Sequence, residues 1–531
     1  SDLLMSINAA VACAAIMAAS RCRFPSGVRP GPAVAATGDR MNEQTAAVVA
    51  SGHIPSRIAK TAGGFRVRPN LVDYAAVRAA FSWERARESL AGLPGGGLNI
   101  AYEAVDHHLG TAHADRTAIR WIGKAGARRE LSYRDLAHAT NRFANALHGL
   151  GTQPGDRVCV LMGRLPEFHV AVLGALKAGC VAAPLARESV TEQGALCCAL
   201  AEAHVLVTTS ELYQTRVAGL RHRLPKLKHV IVVGAGFAEG AGVRRWGDVV
   251  EGASHRFTTA ATDTETVALL HFTRTAEGRT QTTIHVHGAV LAHAVTGHYA
   301  LDFHDDDIFW CTADPGCVTG TSYGIIAALV AGVTSVVVEA EFDPATCCAL
   351  LEQERVSVWY TAAPEIRDLM DTDAVAVRSH DLSALRFMAS VGEPLTADAV
   401  IWGIEVFGLP FHDNWWQTES GAIMIANYAA MDIKPGSMGK PLPCIRAAIV
   451  RRDAQGRVET ITRPDVEGEL ALEAPWPSMM RGYLHDEERY RNRFCDGWYL
   501  SGDMARCDAD GYYWFVRHAG DAIDLASNTI A

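Results

Sequence analysis

The sequence has no Cys-x-x-Cys pair, although it carries 13 cysteines in 531 residues. Zinc ribbons and fingers need such spaced pairs, so a structural zinc module of that kind is excluded. It also lacks a cationic surplus: 49 Lys and Arg stand against 59 Asp and Glu, a formal net charge of −10. Neutralising a nucleic-acid backbone requires an excess of Lys and Arg, which excludes a general nucleic-acid binder. Small anions stay open, because helix ends and backbone amides bind them without net positive charge. No apolar run approaches the roughly 20 residues of a membrane-spanning helix, so no membrane partner is expected. Leu3 to Ala19 is apolar and rich in small residues, yet no basic segment precedes it as in a secretory signal. A fraying helix or an upstream extension suits that stretch equally, and Met41 offers an alternative start.

What is present is a chain long and apolar enough, at 49% hydrophobic residues, for a large multi-lobed core. The adjacent pairs Cys197-Cys198 and Cys347-Cys348 lie in apolar, helix-like stretches. They read as buried free thiols in a reducing, cytoplasmic setting. Residues 1–64, rich in Ala, Gly and Pro, predict a poorly ordered extension. Helical patterning begins at Tyr74 and runs to Leu90, and a second helix follows Leu131-Ser132-Tyr133 through Leu150. Apolar strands are predicted at Arg157 to Leu161, Val181 to Leu185, Val205 to Thr208, Val230 to Val233, Ser335 to Val338 and Val356 to Tyr360. Helices over Pro166 to Lys177 and Pro344 to Glu354 alternate with them. That alternation predicts parallel sheets covered on both faces. After about Gly436 the texture turns to short strands, such as Ala447 to Val450 and Glu469 to Glu473, predicting a smaller β-rich lobe.

The most specific stretch is Asp413-Asn414-Trp415-Trp416-Gln417-Thr418-Glu419-Ser420-Gly421. By itself it suits either a buried aromatic pair with a capping Thr and Glu or a ligand-binding loop. With its companions it resembles the acetyl-CoA synthetase branch of the AMP-forming acyl-CoA synthetases, which carry D-T-W-W-Q-T-E-T-G there. Ser390-Val391-Gly392-Glu393-Pro394-Leu395 matches the same family's S-V-G-E-P-L. Pro435 to Pro441, Trp476 to Gly482, Gly497-Trp498-Tyr499 and Ser501-Gly502-Asp503 match as well, so the likeness runs from about Tyr74 to Trp514.

The resemblance implies an α/β large domain of the adenylate-forming type over 65–516, with two layered α/β subdomains and the β-rich lobe. It implies a reaction of short carboxylate, ATP and CoA to acyl-CoA, AMP and pyrophosphate, with Mg²⁺ on the nucleotide. Gly392, Glu393 and Pro394 would form a turn that lets backbone approach adenine closely. Asp413, Asn414, Trp415, Trp416, Gln417 and Thr418 would line the nucleotide, Thr418 at the α-phosphate. Glu419 would hold Mg²⁺ through oxygen. Asp503 would accept two ribose hydroxyl protons. Val318, Thr319, Val391 and Trp416 match positions that line the acyl pocket, where a tryptophan leaves room for acetate or propionate. Bulk excludes larger acids, whereas one methylene is worth only about 1–3 kcal/mol.

The phosphate loop departs from the pattern. Family members read T-S-G-T-T-G-x-P-K-G, small residues whose amides and hydroxyls wrap the β- and γ-phosphates. Here the aligned run is Thr273 to Thr282, and only Thr273 and Gly278 survive. Thr275 and Thr282 stand where glycines are expected, Gln281 replaces the lysine, and Glu277 adds a carboxylate. At about 4 Å and an effective dielectric near 20, each like-charge pair costs roughly 4 kcal/mol before screening. Arg274 and Arg279 offset part of that, or form a phosphate clamp of their own. Further on, His518 and Thr529 replace two arginines, Gly520 replaces the hinge Asp, and Ala531 falls at the hinge to the family's small C-terminal domain. That domain, with its adenylation lysine and part of the CoA pocket, is expected to be missing, leaving 517–531 as a hinge remnant. Three readings follow: an impaired ligase, a non-catalytic protein binding AMP, an acyl-adenylate or a partner, and half of a split ligase completed by a separate C-terminal chain. His285-Val286-His287 with His293 is discounted as a metal site, and Asp305-Asp306-Asp307 reads as a turn feeding a buried strand.

Overall fold

Ser132 accepts from the Asp135 amide while Asp135 reaches back to the Ser132 amide, a reciprocal cap that starts the helix Tyr133–Gly149. Leu136, Phe143, Ala144 and Leu147 form its buried face. The helix Pro166–Lys177 lies against it at a close approach that requires Gly174: a Cβ there would stand 2.8 Å from the Thr140 carbonyl. Its last residue, Lys177, is fully buried and ion-paired with Asp106, with a further bond of 2.8 Å to Asn141 Oδ1. A buried lysine is tolerable only with such partners.

The computed structural model describes residues 54–60, 64–187, 193–234, 240, 242–274, 278–372, 374–453 and 456–519. Among these, the strands form three sheets. The nine-stranded sheet has a parallel centre, in spatial order Phe411–Trp415, Phe387–Val391, Val358–Ala362, Ile308–Cys311, Thr334–Val338 and Thr117–Ile122. The eight-stranded sheet has a second parallel set built on Val181–Leu185, Arg157–Leu161, Val205–Thr209 and His229–Val233. The third sheet is antiparallel: Val458–Thr460, Ala447–Arg452, Gly468–Glu473, Trp498–Cys507, Phe494–Cys495 and Tyr513–His518. Continuous burial along strands such as Val181–Leu185 and Phe387–Val391 reflects cover on both faces. The expected architecture of two α/β layers and a β-rich lobe is therefore the observed one.

The details differ where local turn chemistry overrides periodicity. Tyr74 to Leu90 forms two short helices, Tyr74–Ala80 and Trp83–Arg87, because Phe81 turns extended and Ser82 caps a new start. The strand read at Val356 to Tyr360 lies two residues later, at Val358–Ala362. Val267–Arg274 and Thr280–Val286, unassigned from the sequence, pair as a long antiparallel hairpin. Within the stretch expected to be poorly ordered, Ile58 is buried and bridges to Ile433. The strand Tyr513–His518 runs through the boundary drawn at 516. Asp305 and Asp306 form the expected turn, and Asp307 ends it buried, paired with Arg386. The described cysteines are all free, with Cys197, Cys198, Cys347 and Cys348 buried. No helix among the described residues is long and apolar enough to cross a membrane.

The β-rich lobe is stitched to both other sheets. Lys440–Pro441 pairs with Ile425–Ala426 at the edge of the nine-stranded sheet, and Gly482–Tyr483 pairs with Thr280–Val286. Gly439 sits at the first stitch with φ +94, and a Cβ there would stand 2.1 Å from the Ala426 carbonyl oxygen. Gly436, three residues earlier, has φ +87 but no atom nearer than 3.7 Å. Gly436→Ala should therefore lose only the roughly 1–3 kcal/mol of backbone strain. Gly439→Ala adds a clash with backbone and should cost at least about 3 kcal/mol. Urea denaturation of both variants measures the gap, and equal losses would contradict the packing described.

Candidate active site

The site is built where the parallel strands of the nine-stranded sheet end and the β-rich lobe begins, the usual crevice of open α/β sheets. The strand Phe411–Trp415 delivers Asp413, Asn414 and Trp415, and its register partner Phe387–Val391 delivers Ser390 and Val391. After Trp415 the chain leaves the strand and turns at Thr418–Ser420.

Asp503 is the meeting point. Its Oδ2 accepts from Trp415 Nε1 at 2.8 Å and from Gln417 Nε2 at 3.0 Å. Its Oδ1 faces His518 Nδ1 at 2.8 Å. Gln417 also donates to the Ser501 carbonyl and accepts the Tyr499 hydroxyl proton at 2.8 Å. One carboxylate, 5% exposed, thus ties the tryptophan strand to the strand Trp498–Cys507 and to Tyr513–His518.

Asn414 and Trp416 share a second node. The Tyr360 hydroxyl donates to Asn414 Oδ1 at 3.0 Å and accepts from Trp416 Nε1 at 3.2 Å. Asn414 Nδ2 donates to the Ser390 carbonyl. The Trp416 ring stands edge-on to Tyr323 with centroids 5.2 Å apart. Tyr323 belongs to the helical turn Gly320–Ala327, which Thr319 caps and Val318 precedes. Val391 and Trp416 pack in one apolar cluster. Gly392 follows with φ +92 and open space where a Cβ would lie, and Glu393 and Pro394 are exposed. Glu393 forms a surface pair with Arg367, an interaction of small worth.

Thr418 and Glu419 are both buried. Glu419 Oε1 accepts from the Tyr483 hydroxyl at 2.8 Å, and Arg493 Nε donates to that hydroxyl at 3.3 Å. Glu419 Oε2 has no hydrogen-bond partner among the described residues, so one carboxylate oxygen is available to a hard cation. Among the described residues no group of three or more His, Cys, Asp or Glu is arranged for a metal. His285 Nε2 instead bonds the Thr418 carbonyl, His293 Nε2 the Gly421 carbonyl, and His287 Nδ1 accepts from Ile100 N.

Of the aligned phosphate stretch, Thr273 lies opposite Gln281 and Arg274 opposite Thr280 in the hairpin. Gly278 has φ +75 and nothing within 4 Å of a Cβ. Gln281 is buried, its Nε2 without a partner. Thr282 is buried too, and its carbonyl accepts from Leu484 N. Thr275 and Glu277 lie outside the described residues, as do Gly520 and Thr529. Sequence reasoning gave no role to Tyr360, Tyr483, Tyr499 and Arg493. Tyr499, inside the matched Gly497-Trp498-Tyr499, and Tyr483, directly after the matched Trp476 to Gly482, carried a signal.

Two layered α/β sheets, closed by an antiparallel lobe over a tryptophan-walled polar crevice, define the class of adenylate-forming enzymes. The family model described as AMP-binding enzyme matches residues 106–484. The acetyl-coenzyme A synthetase of Bacillus subtilis (strain 168) is 38% identical over 458 residues, 86% of this chain and 78% of that protein. The acetyl-coenzyme A synthetase of Mycolicibacterium smegmatis is 35% identical over 472 residues, 82% of this chain and 50% of that protein. In fold, the chain is similar to the crystal structure of a Brucella canis acyl-CoA synthetase, with a TM-score of 0.77 at 24% identity, covering 84% of this chain and 80% of that one. The chain belongs to the acetyl-coenzyme A synthetase family of AMP-binding enzymes.

Asp413 is the site's most perturbed acid. Burial lifts its carboxyl to about 8, only partly opposed by the Leu395 and Asn414 amides. Its Oδ1 is buried without a partner. The folded protein therefore keeps a proton that the unfolded chain releases above about pH 4. The associated stability is complete below that pH and is lost as pH rises through 8. Asp413→Asn removes this term, so the variant should gain on the parent by up to about 1.4 kcal/mol per pH unit between pH 5 and 8. Denaturation midpoints across that range test it; parallel curves would show that Asp413 is ionised in the fold.

Proposed function

We propose that the protein is an AMP-forming acyl-CoA ligase relative that recognises adenine nucleotide and a short carboxylate but handles triphosphate poorly. The observation that carries this reading is Gln281. At the position of the family's lysine stands a neutral, buried side chain, while Asp503, Gln417, Trp416 and Glu419 are held in a connected polar frame. Electrostatic stabilisation of the transferring phosphate region dominates such catalysis, and losing one donor costs about 10²–10³ in rate.

In this reading Gly392, Glu393 and Pro394 border adenine, with Asp413, Asn414 and Trp415 beneath it. Asp503 takes the ribose hydroxyls. A carboxylate offers about four acceptor sites, and Trp415, Gln417 and His518 occupy three, so His518 gives way when two hydroxyls bind. Val318, Thr319, Val391 and Trp416 bound a pocket for acetate or propionate. Thr418 meets the α-phosphate. Glu419 would hold Mg²⁺ through Oε2, and the ion would offset phosphate charge there. CoA belongs to the family's reaction and is the expected acyl acceptor. A reducing cytoplasmic location suits the free thiols of the described residues.

A second reading is a working acetate–CoA ligase whose Arg274 and Arg279, both exposed beside the hairpin turn, clamp the phosphates. Calorimetry with AMP and acetate-dependent ATP–pyrophosphate exchange separate the two. We expect AMP binding without detectable exchange, and exchange raised at least about tenfold in Gln281→Lys. Robust exchange in the parent, abolished by Arg274→Ala with Arg279→Ala, would establish the second reading instead.

A further inference from the structure

The histidines set aside as metal ligands have a different place in the molecule. His285 lies on the hairpin strand Thr280–Val286 and His293 on the helix Ala289–Tyr299. Their Nε2 atoms approach the Thr418 and Gly421 carbonyls, each at 2.9 Å. The two carbonyls between are also held from outside the turn. Met480 N donates to Glu419 O at 2.9 Å, and Trp476 Nε1 and Ser478 Oγ both donate to Ser420 O at 2.8 Å. Four consecutive carbonyls, 418 to 421, therefore face donors in the protein body.

In a trans peptide the N–H of residue i+1 points opposite to the C=O of residue i, so anchoring the Thr418 carbonyl on His285 turns the Glu419 amide outward. The Thr418 and Glu419 amides donate to no acceptor among the described residues, whereas Ser420 N and Gly421 N both bond Gln417 O. Two successive unengaged amides, that of Glu419 oriented by the anchored Thr418 carbonyl, offer N–H groups to an anionic oxygen. Gly421 completes the constraint: φ is +72, and a Cβ would stand 2.2 Å from Ser478 O and 2.9 Å from His285 Cε1. The His285 ring packs directly beneath the turn. Burial pushes both imidazoles down to about 4, so each carries a single N–H near neutral pH, and the carbonyl fixes it on Nε2.

We propose that His285 and His293 are positioning residues that hold the Thr418–Gly421 turn in an anion-binding conformation, so that they govern affinity for the nucleotide's phosphate without touching it. This rests on the nucleotide-binding reading above. The test compares AMP with adenosine, which lacks only the phosphate, by calorimetry on the full chain. For His285→Leu and His293→Leu we expect AMP affinity to fall about tenfold or more, the worth of one lost hydrogen bond. Adenosine affinity should stay within about threefold, because its sites lie on Asp413 and Asp503. The Gln variants, which keep a donor, should retain AMP affinity within about threefold. If a Leu variant binds neither compound, the corresponding Asn variant, whose amide is too short to reach the carbonyl, is read by the same comparison. Unchanged AMP affinity, or equal losses for AMP and adenosine, would overturn the assignment and leave the histidines as ordinary core residues. A parent chain that binds neither compound would instead overturn the nucleotide-binding reading, and this inference with it.

Discussion

The site depends on one buried carboxylate. Asp503 accepts from a tryptophan on the nine-stranded sheet and from a glutamine in the loop that follows, while a histidine meets its other oxygen. A buried anion with fewer partners would cost several kcal/mol, so the fold is constrained to bring these groups together. That requirement fixes the lobe against the nine-stranded sheet, where Lys440–Pro441 also stitches it, while Gly482–Tyr483 stitches it to the eight-stranded sheet. Gln417 then transmits the constraint to Tyr499. Through the shared scaffold of Trp498–Cys507, whose Leu500 and Ser501 carbonyls accept from Arg493, it reaches Tyr483 and Glu419. Asp503 and Glu419 are thus parts of one polar frame.

The turn between them has no regular secondary structure to hold it. Its rigidity comes from four side chains on three separate segments that claim its carbonyls, and from a glycine pressed between two of them. Buried carbonyls rarely go unpaired, so the arrangement satisfies the backbone and orients it in the same step. Placing the donors on a strand, a helix and the lobe makes the turn's geometry a report on whether all three are docked.

Much of this was legible in the sequence, for identifiable reasons. Short, largely apolar runs gave the parallel strands, since burial on both faces removes the alternation that would confuse them. The helix expected after Leu131-Ser132-Tyr133 begins at Tyr133, behind the Ser132 cap. The hairpin strand Thr280–Val286 escaped because most of its buried members are Thr, Gln and His, residues whose polarity hides a strand until their partners are known. The tryptophan loop declared itself by composition, and its likeness to a known family named the residues around it. The roles of Tyr360 and Arg493 stayed invisible, because they act through contacts across long stretches of chain that no local pattern records.

On the reading proposed above, the hairpin is where nucleotide recognition and phosphate handling part company. Its strands are held by backbone pairing through Arg274 and Thr280, which is indifferent to the charge carried by the turn. Replacing a lysine with Gln281 removes a cation yet leaves a side chain that a strand can bury. Strand Thr280–Val286 still supplies His285 to the turn and still pairs with Gly482–Tyr483. The sequence of this strand is therefore under two separate demands: positions that support the turn and the lobe are fixed by packing, and the loop at its start is fixed only by chemistry. A chain relieved of the second demand keeps the first, because losing it would unseat Thr418, Glu419 and the lobe together.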